Sequence, residues 1–375
     1  RARRRERLAS SGTVLAFAVV FVVYAIWLQG DFLDVSRRMF DISRSAPQLL
    51  LATGVVVCLA AHHFDLSVAS MATLSVFLTI GLHLQSDIPM WLSILIALGV
   101  GALGGLVNGL LVTRLNLSAF IATLGTGGVF GGLTVVYSEG RIIGPSPSVG
   151  TLPSWFTGPG SLGDFQQKVP LLVGLLCVAL IAAAFVVSVH GRFALEGWRR
   201  GTPLTIAALL VLGSWALGVI GEMSWSIFVL ITFAGLVWVY LTYTASGRAT
   251  YAIGGSERAA QFAGIDTKRK IVAAFVLSGT TAALAGVLLA SIQGSASPHL
   301  ADPLLLPAYS AVFLSTVLMS RGRFHVWGTV FGGIFLIYVS SGLIAGGVPF
   351  TWTSVINGLV LITTVSLSTI LRRRK

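Results

Sequence analysis

Apolar stretches of about 20 residues, the length that carries a helix across a bilayer, recur from one end of this chain to the other. Short polar interruptions separate them. On that measure the pattern predicts helices at 12–30, 44–62, 66–85, 89–112, 117–137, 169–189, 203–221, 224–245, 269–291, 303–319, 326–346 and 350–371. The expected fold class is an all-α polytopic integral membrane protein with about twelve spans, since helices satisfy their backbone groups internally in lipid. The first run follows the basic stretch RARRRER. It exceeds the roughly 7–15 apolar residues of a secretory signal, and no A-x-A site follows it, so a membrane helix entering from the cytoplasm is expected. Two places strain the pattern. Only His62-His63-Phe64-Asp65-Leu66 separates the second and third runs, and the run at 201–221 is interrupted by Pro203.

Composition supports the same class. Of 375 residues, 55% are hydrophobic and 10% charged, and the mean hydropathy is +0.88; soluble domains carry about a quarter charged residues. A net charge of +12 in a soluble protein would point to nucleic acid. Here topology explains it, because Lys and Arg collect on the cytoplasmic side. With the N-terminus inside, 20 of the 25 basic residues fall in cytoplasmic segments, and Arg37, Arg38, Arg44, Arg141 and Lys168 fall outside. N-in and C-in is the orientation expected. The domain organisation follows: a basic cytoplasmic segment at 1–11, one permeating domain at 12–371, and a basic tail at 372–375. Within the domain lie an extracytoplasmic loop at 138–168 and a cytoplasmic loop at 246–268. The outer loop is rich in Gly, Pro and Ser and reads as a flexible connector or, less economically, a docking surface, with Trp155 and Phe156 as interfacial anchors. Cys58 and Cys177 lie inside apolar runs and read as small core residues.

The most informative polar stretch is YAIGGSERAAQFAGIDTKRK at 251–270. So many charges in lipid would each cost about 2.5–3.5 kcal/mol even on a lenient scale, which places them in water. Ser256 is a helix cap, residues 259–263 a short helix, and Gly264 its terminator. A short helix with glycines on both sides, lying across a cytoplasmic face, is the form of a docking element for a soluble partner. A Glu257→Arg change, or bulk at Gly255, is expected to uncouple it.

Catalytic motifs are missing from the sequence. No lysine follows a glycine, so there is no G-x-x-x-x-G-K-[ST] loop for phosphate. No G-x-S-x-G, H-E-x-x-H or C-x-x-C occurs, and the adjacent His62 and His63 point to different helix faces, so neither a catalytic nor a metal site is expected. Ion-coupled carriers place ionisable groups in mid-membrane, and only Asp65 and Glu222 approach it. Energy is therefore expected from a partner. Asp65 either caps the third helix or lines a transport path, and Ser67, Asn108 and Thr123 are the other candidate path residues. Glycines spaced four apart in GALGGLVNGLL (101–111), with LGTGGVFGGL (124–133) and VWGTVFGGIF (326–335), are expected first to let helices pack closely.

AIGGSERAAQFAGID (252–266), followed by FVLSGTTAALAGVLLASIQGSASP (275–298), resembles the membrane permease of monosaccharide ABC importers of the ribose, xylose and galactose type. FDLSVASMATLS (64–75), the glycine-rich 101–133 stretch and NGLVLI (357–362) agree in order. The resemblance covers most of 45–137 and 224–371. It implies a ten-helix core, with the extra helices near 170–220 more like the longer xylose-type relatives. It further implies a dimer with a second permease copy or paralogue, an extracytoplasmic sugar-binding protein, and cytoplasmic ABC ATPase subunits that bind ATP and Mg in this chain's stead. Gly254, Gly255, Ser256, Glu257, Ala260, Gly264 and Ile265 are similar to the segment that couples to the ATPase. One departure is LSTVLMSRGR (314–323), where the family often has a Gly-Gly-Thr-Ser-x-x-Gly-Gly stretch. The alternatives are an ABC permease for a branched-chain amino acid or a nucleoside, and a self-powered carrier.

Overall fold

The computed structural model describes residues 21–28, 34–158, 224–318, 323–359 and 362. The spans expected at 169–189 and 203–221, the terminal segments 1–11 and 372–375, and most of those expected at 12–30 and 360–371 lie outside the described residues. The described chain is helical throughout: α1 (Val35–Arg44), α2 (Ala46–Ala60), α3 (Val68–Ser86), α4 (Met90–Arg114), α5 (Ala119–Ser138), α6 (Ser154–Thr157), α7 (Trp225–Tyr243), α8 (Ala245–Gly255), α9 (Glu257–Phe262), α10 (Thr267–Gln293), α11 (Leu305–Leu318) and α12 (Val326–Ala345). Residues 21–28 are also helical, and so are 353–359. Among the described residues six helices are long and apolar enough to cross a membrane, or seven if α1 and α2, bent by 52° at their junction, count as one.

Two elements differ from the sequence pattern. α1 is a separate helix, because its polar face (Arg37, Arg38, Asp41, Arg44) cannot follow α2 into lipid; Arg38 pairs with Asp41 at 3.1 Å. α8 turns the first half of the expected loop into a helix, nucleated when the Thr244 hydroxyl accepts from the Gly247 amide at 2.9 Å. α11, expected at 303–319, is described over Leu305–Leu318, where the described residues end.

α10 occupies the centre, packed on α4, α2 and α3, and α11 packs on α12. The α4–α10 contact is made by backbone rather than side chains. A Cβ on Gly105 would overlap the Phe275 carbonyl, and one on Gly279 would overlap that of Gly101. Without side chains there, the two helices approach to van der Waals distance, which is how helices associate in lipid without a hydrophobic drive. Gly105→Val is therefore expected to prevent folded, membrane-inserted protein from accumulating, measured as the monodisperse fraction after detergent extraction. The glycines of 124–133 behave otherwise. Gly125, Gly128 and Gly132 of α5 have nothing within 4 Å among the described residues, so packing among those residues does not account for them, and Gly128→Ala is expected to leave the same fraction unchanged.

The outer loop is partly fixed. Ile143 and Ala296 form an antiparallel bridge, and the Phe156 carbonyl accepts a hydrogen bond from Ser291. Phe156 is fully buried, so it belongs to the core and not to an interface, while Trp155 stays exposed. Up to residue 158 this segment is tied down at Ile143 and Phe156, while most of its other residues stay exposed; 159–168 lie outside the described residues. Cys58 is buried and unpaired, as its apolar setting implied.

Candidate functional site

Two polar assemblies stand out against the apolar bundle, and they touch. The first is the break between α2 and α3. α2 ends when His62 enters the left-handed region at φ 65°, with its amide donating to the Leu59 carbonyl and that of His63 to Cys58, both at 2.9 Å. These are the two bonds of a Schellman ending, which satisfies the last carbonyls of the helix. The chain then runs extended to Asp65. Tyr309 of α11 holds it from one side: its hydroxyl accepts from the Asp65 amide at 3.0 Å and donates to the Asp65 carbonyl at 2.8 Å. The Phe64 ring stacks on Tyr309.

The Asp65 carboxylate is fully buried, and both its oxygens are hydrogen-bonded. Oδ1 accepts from the Ser67 amide at 3.2 Å and the Ser67 hydroxyl at 2.6 Å, and Oδ2 accepts from the Ser278 hydroxyl at 2.8 Å. Ser67 accepts in turn from Asn108 Nδ2 at 2.8 Å, and the Thr126 hydroxyl donates to Asn108 Oδ1 at 2.6 Å. Thr123 accepts from the Leu66 amide at 3.1 Å while donating to the Ala119 carbonyl at 2.7 Å. A buried acid survives only with such partners, because one left unsatisfied costs several kcal/mol. The four residues read from sequence (Asp65, Ser67, Asn108 and Thr123) thus meet at one point joining α3, α4, α5, α10 and α11. Asp65 does not cap α3, whose N-cap is Ser67; it closes a turn onto Ser67 from two residues upstream. Asn108 lies six residues from Arg114, so the hub sits about 9 Å inside the end of α4.

Sequence reasoning missed Ser278, Tyr309 and Thr126. Single hydroxyls on apolar helices give no pattern, and their role depends on which helix lies opposite. Thr126 is the half-buried member of the hub.

The second assembly is the helical hairpin α8–α9. Ser256 caps α9, its hydroxyl accepting from the Ala259 amide at 3.3 Å. Gly264, at φ 78°, ends it, with the Ile265 amide donating to the Ala260 carbonyl at 3.0 Å. This start and stop match those read from the sequence. Asp266 then caps α10 by accepting from Arg269 N at 3.1 Å. The seven residues read as coupling residues separate into two groups. Gly255, Ser256, Glu257 and Gly264 are exposed, Ala260 is buried against the chain, Ile265 is half-buried, and Gly254 is pressed on α2. A Cβ on Gly254 would overlap the Ala60 carbonyl, whereas one on Gly255 meets nothing within 4 Å. The hairpin therefore rests on the last turn of α2, five residues before Asp65.

Beside the hairpin, α12 is capped by His325, whose Nδ1 accepts from the Gly328 amide at 3.3 Å. Burial holds this imidazole below its ordinary 6.5, and only the neutral ring can accept. The unfolded chain takes up the proton first, so the stabilisation is complete above about pH 6.5 and is lost as pH falls. A cap is worth about 1 kcal/mol. The melting temperature is expected to drop between pH 8 and pH 5.5, and to drop less in His325→Asn, which keeps a capping oxygen and does not titrate.

The family described as the permease component of branched-chain amino acid transport systems matches residues 40–365. The chain is 30% identical to the ribose import permease protein of Bacillus subtilis, over 95% of this chain and 91% of that protein. It is 27% identical to the autoinducer 2 import system permease protein of an Enterobacter species, over 98% and 90% respectively. To the xylose transport system permease protein of Escherichia coli it is 26% identical, over 96% and 92%. No solved structure matches the chain.

Proposed function

Because this chain belongs to the family of transport-system permease components, we propose that it is the membrane-spanning subunit of an ABC importer that carries a monosaccharide into the cytoplasm. The observation that carries the reading is likeness over nearly the whole length to a ribose import permease, with xylose and autoinducer 2 import permeases close behind. The chain supplies the path, and cytoplasmic ATPase subunits bind ATP and Mg and hydrolyse it. An extracytoplasmic binding protein delivers the sugar, and a second permease copy or paralogue completes the path. The location is the prokaryotic cytoplasmic membrane, with both termini inside.

On this reading, the coupling runs as follows. Closure of the ATPases moves α9. Gly254 presses the motion onto Ala60, and the break at 61–67 passes it to α3 and, through Ser278 and Tyr309, to α10 and α11. The sugar path runs along the open α5 face. There Thr126 offers a hydroxyl, and Gly125, Gly128 and Gly132 leave space against the opposing copy. Asp65, Ser67, Asn108 and Thr123 shape that path from behind rather than touching sugar.

Uptake of labelled ribose, xylose, leucine and a nucleoside, measured in vesicles with the ATPase and binding protein present, tests the reading. ATP-dependent entry of a pentose or hexose is the expected result. Entry of leucine or the nucleoside alone would replace the sugar assignment, and uptake that needs no ATP but collapses with the proton gradient would replace the importer by a self-powered carrier.

A further inference from the structure

The short helix α9 turns one face to the rest of the chain and the opposite face away from it. Ala260 is buried, and α9 packs on α8 and α10. Successive residues turn by about 100° around a helix, so Phe262 lies about 200° from Ala260 on one side and Arg258 about 200° on the other. The two are therefore neighbours at i and i+4 on the outward face. The Phe262 side chain is 93% exposed. Arg258 is exposed beside it and forms no ion pair among the described residues. Lys268 and Arg269 stand exposed at the start of α10.

The arrangement is rigid as well as open. Caps at Ser256 and Gly264 fix both ends, and Gln261 Nε2 donates to Thr267 Oγ1 at 3.1 Å. An aromatic ring held in water on a pre-ordered helix, next to a guanidinium, has the composition of a binding hot spot, where aromatic residues and Arg predominate. Lipid is a poor occupant for it. The buried side of α9 faces the ends of the spanning helices, so the opposite side points into the cytosol, where the basic cluster also lies.

We infer that Phe262 is the anchor by which this permease seats in its ATPase subunit, entering an apolar socket whose rim carries carboxylates opposite Arg258. This rests on the ATP-driven importer reading given above. Glu257 stands about 60° around α9 from the buried Ala260, away from Phe262, and accepts from Gln261 at 3.4 Å.

The permease, solubilised in mild detergent from its native membrane, is compared with Phe262→Ala, Phe262→Asp, Phe262→Leu and Arg258→Glu. The readout is the amount of co-purifying ATPase subunit, identified by its two Walker motifs, per permease. Because Phe262 is exposed, these variants are expected to elute from size exclusion as the parent does. Retention is expected to fall about tenfold or more in Phe262→Ala and Phe262→Asp, the loss typical of a hot-spot aromatic, and several-fold in Arg258→Glu, with Phe262→Leu close to wild type. Equal retention by wild type and Phe262→Asp would overturn the anchor and leave the importer reading standing, and unchanged retention in Arg258→Glu would overturn the acidic rim. Failure of wild type to retain any ATPase would remove both. A nitroxide at position 262 (Phe262→Cys with Cys58→Ala and Cys177→Ala) in vesicles separates lipid from water. Accessibility to a water-soluble nickel chelate, lost when the ATPase binds, is expected; accessibility to oxygen at lipid levels would overturn the proposal.

Discussion

Asp65→Ala is expected to lower the melting temperature of the detergent-solubilised permease sharply, while Asp65→Asn stays close to the parent. The alanine removes the acceptor for three donors: the Ser67 amide, the Ser67 hydroxyl and the Ser278 hydroxyl. Each buried donor left unmade costs about 1–3 kcal/mol, so the loss is on the order of 3 kcal/mol or more. Asparagine keeps a carbonyl for Ser67 and turns its amide toward the Ser278 oxygen, which is able to accept. It also relieves the burial of a charge, and that offsets part of any loss. Tyr309→Phe should fall between the two, because it frees the Asp65 amide and carbonyl but leaves the carboxylate network whole. Thermal unfolding followed by fluorescence checks the order, and a stable Asp65→Ala protein would mean that the hub does not hold the break. Uptake adds a second test. Asp65→Asn is expected to transport, because the carboxylate is buried and both its oxygens are engaged by side chains of the hub. Loss of transport by a well-folded Asp65→Asn protein would put the charge itself in the transport step.

The second large effect is the contrast between two adjacent glycines. Gly254→Val is expected to abolish ATP-dependent uptake and to cost about 1–3 kcal/mol of stability, the usual penalty for overpacking, because its side chain collides with the Ala60 carbonyl. Gly255→Val has open space and is expected to leave stability unchanged. Whatever uptake it loses is expected to be lost at the surface proposed to meet the ATPase. Assaying stability and uptake in both variants therefore separates the inward link from the outward contact. Equal stability loss in the two would contradict the seating of α8 on α2.

The spacing of apolar runs along the chain places α2, α3, α4, α5, α7, α10 and α12 within a few residues of their observed ends, because a bilayer demands about 20 apolar residues per crossing whatever their neighbours are. Capping chemistry is local as well, so Ser256 and Gly264 mark the ends of α9 correctly. The same local reading does not find α1 or α8. Both are short helices whose stability comes from packing and from lying beside the membrane, and their composition resembles that of loops.

Which polar residues belong together is a different kind of question. Asp65, Ser67, Asn108 and Thr123 stand out because each is polar in an apolar setting, and their convergence depends on how five helices assemble. Ser278, Thr126 and Tyr309 carry no pattern along the chain, since a lone hydroxyl on an apolar helix bonds its own backbone as readily as a neighbour. The glycines show the same limit. Glycine-rich runs on α4 and α5 have different outcomes: Gly105 meets the backbone of α10, and Gly125, Gly128 and Gly132 meet nothing within 4 Å among the described residues. The sequence by itself determined that this is an all-helical membrane protein with a short capped helix in a basic polar stretch, because solvation of apolar and charged groups is decided residue by residue. Only the tertiary structure decided that Gly254 bears on Ala60, that Asp65 is locked rather than open, and that Phe262 points outward. Each of those depends on which atom the fold brings within a few ångströms, and spacing along the chain does not encode that.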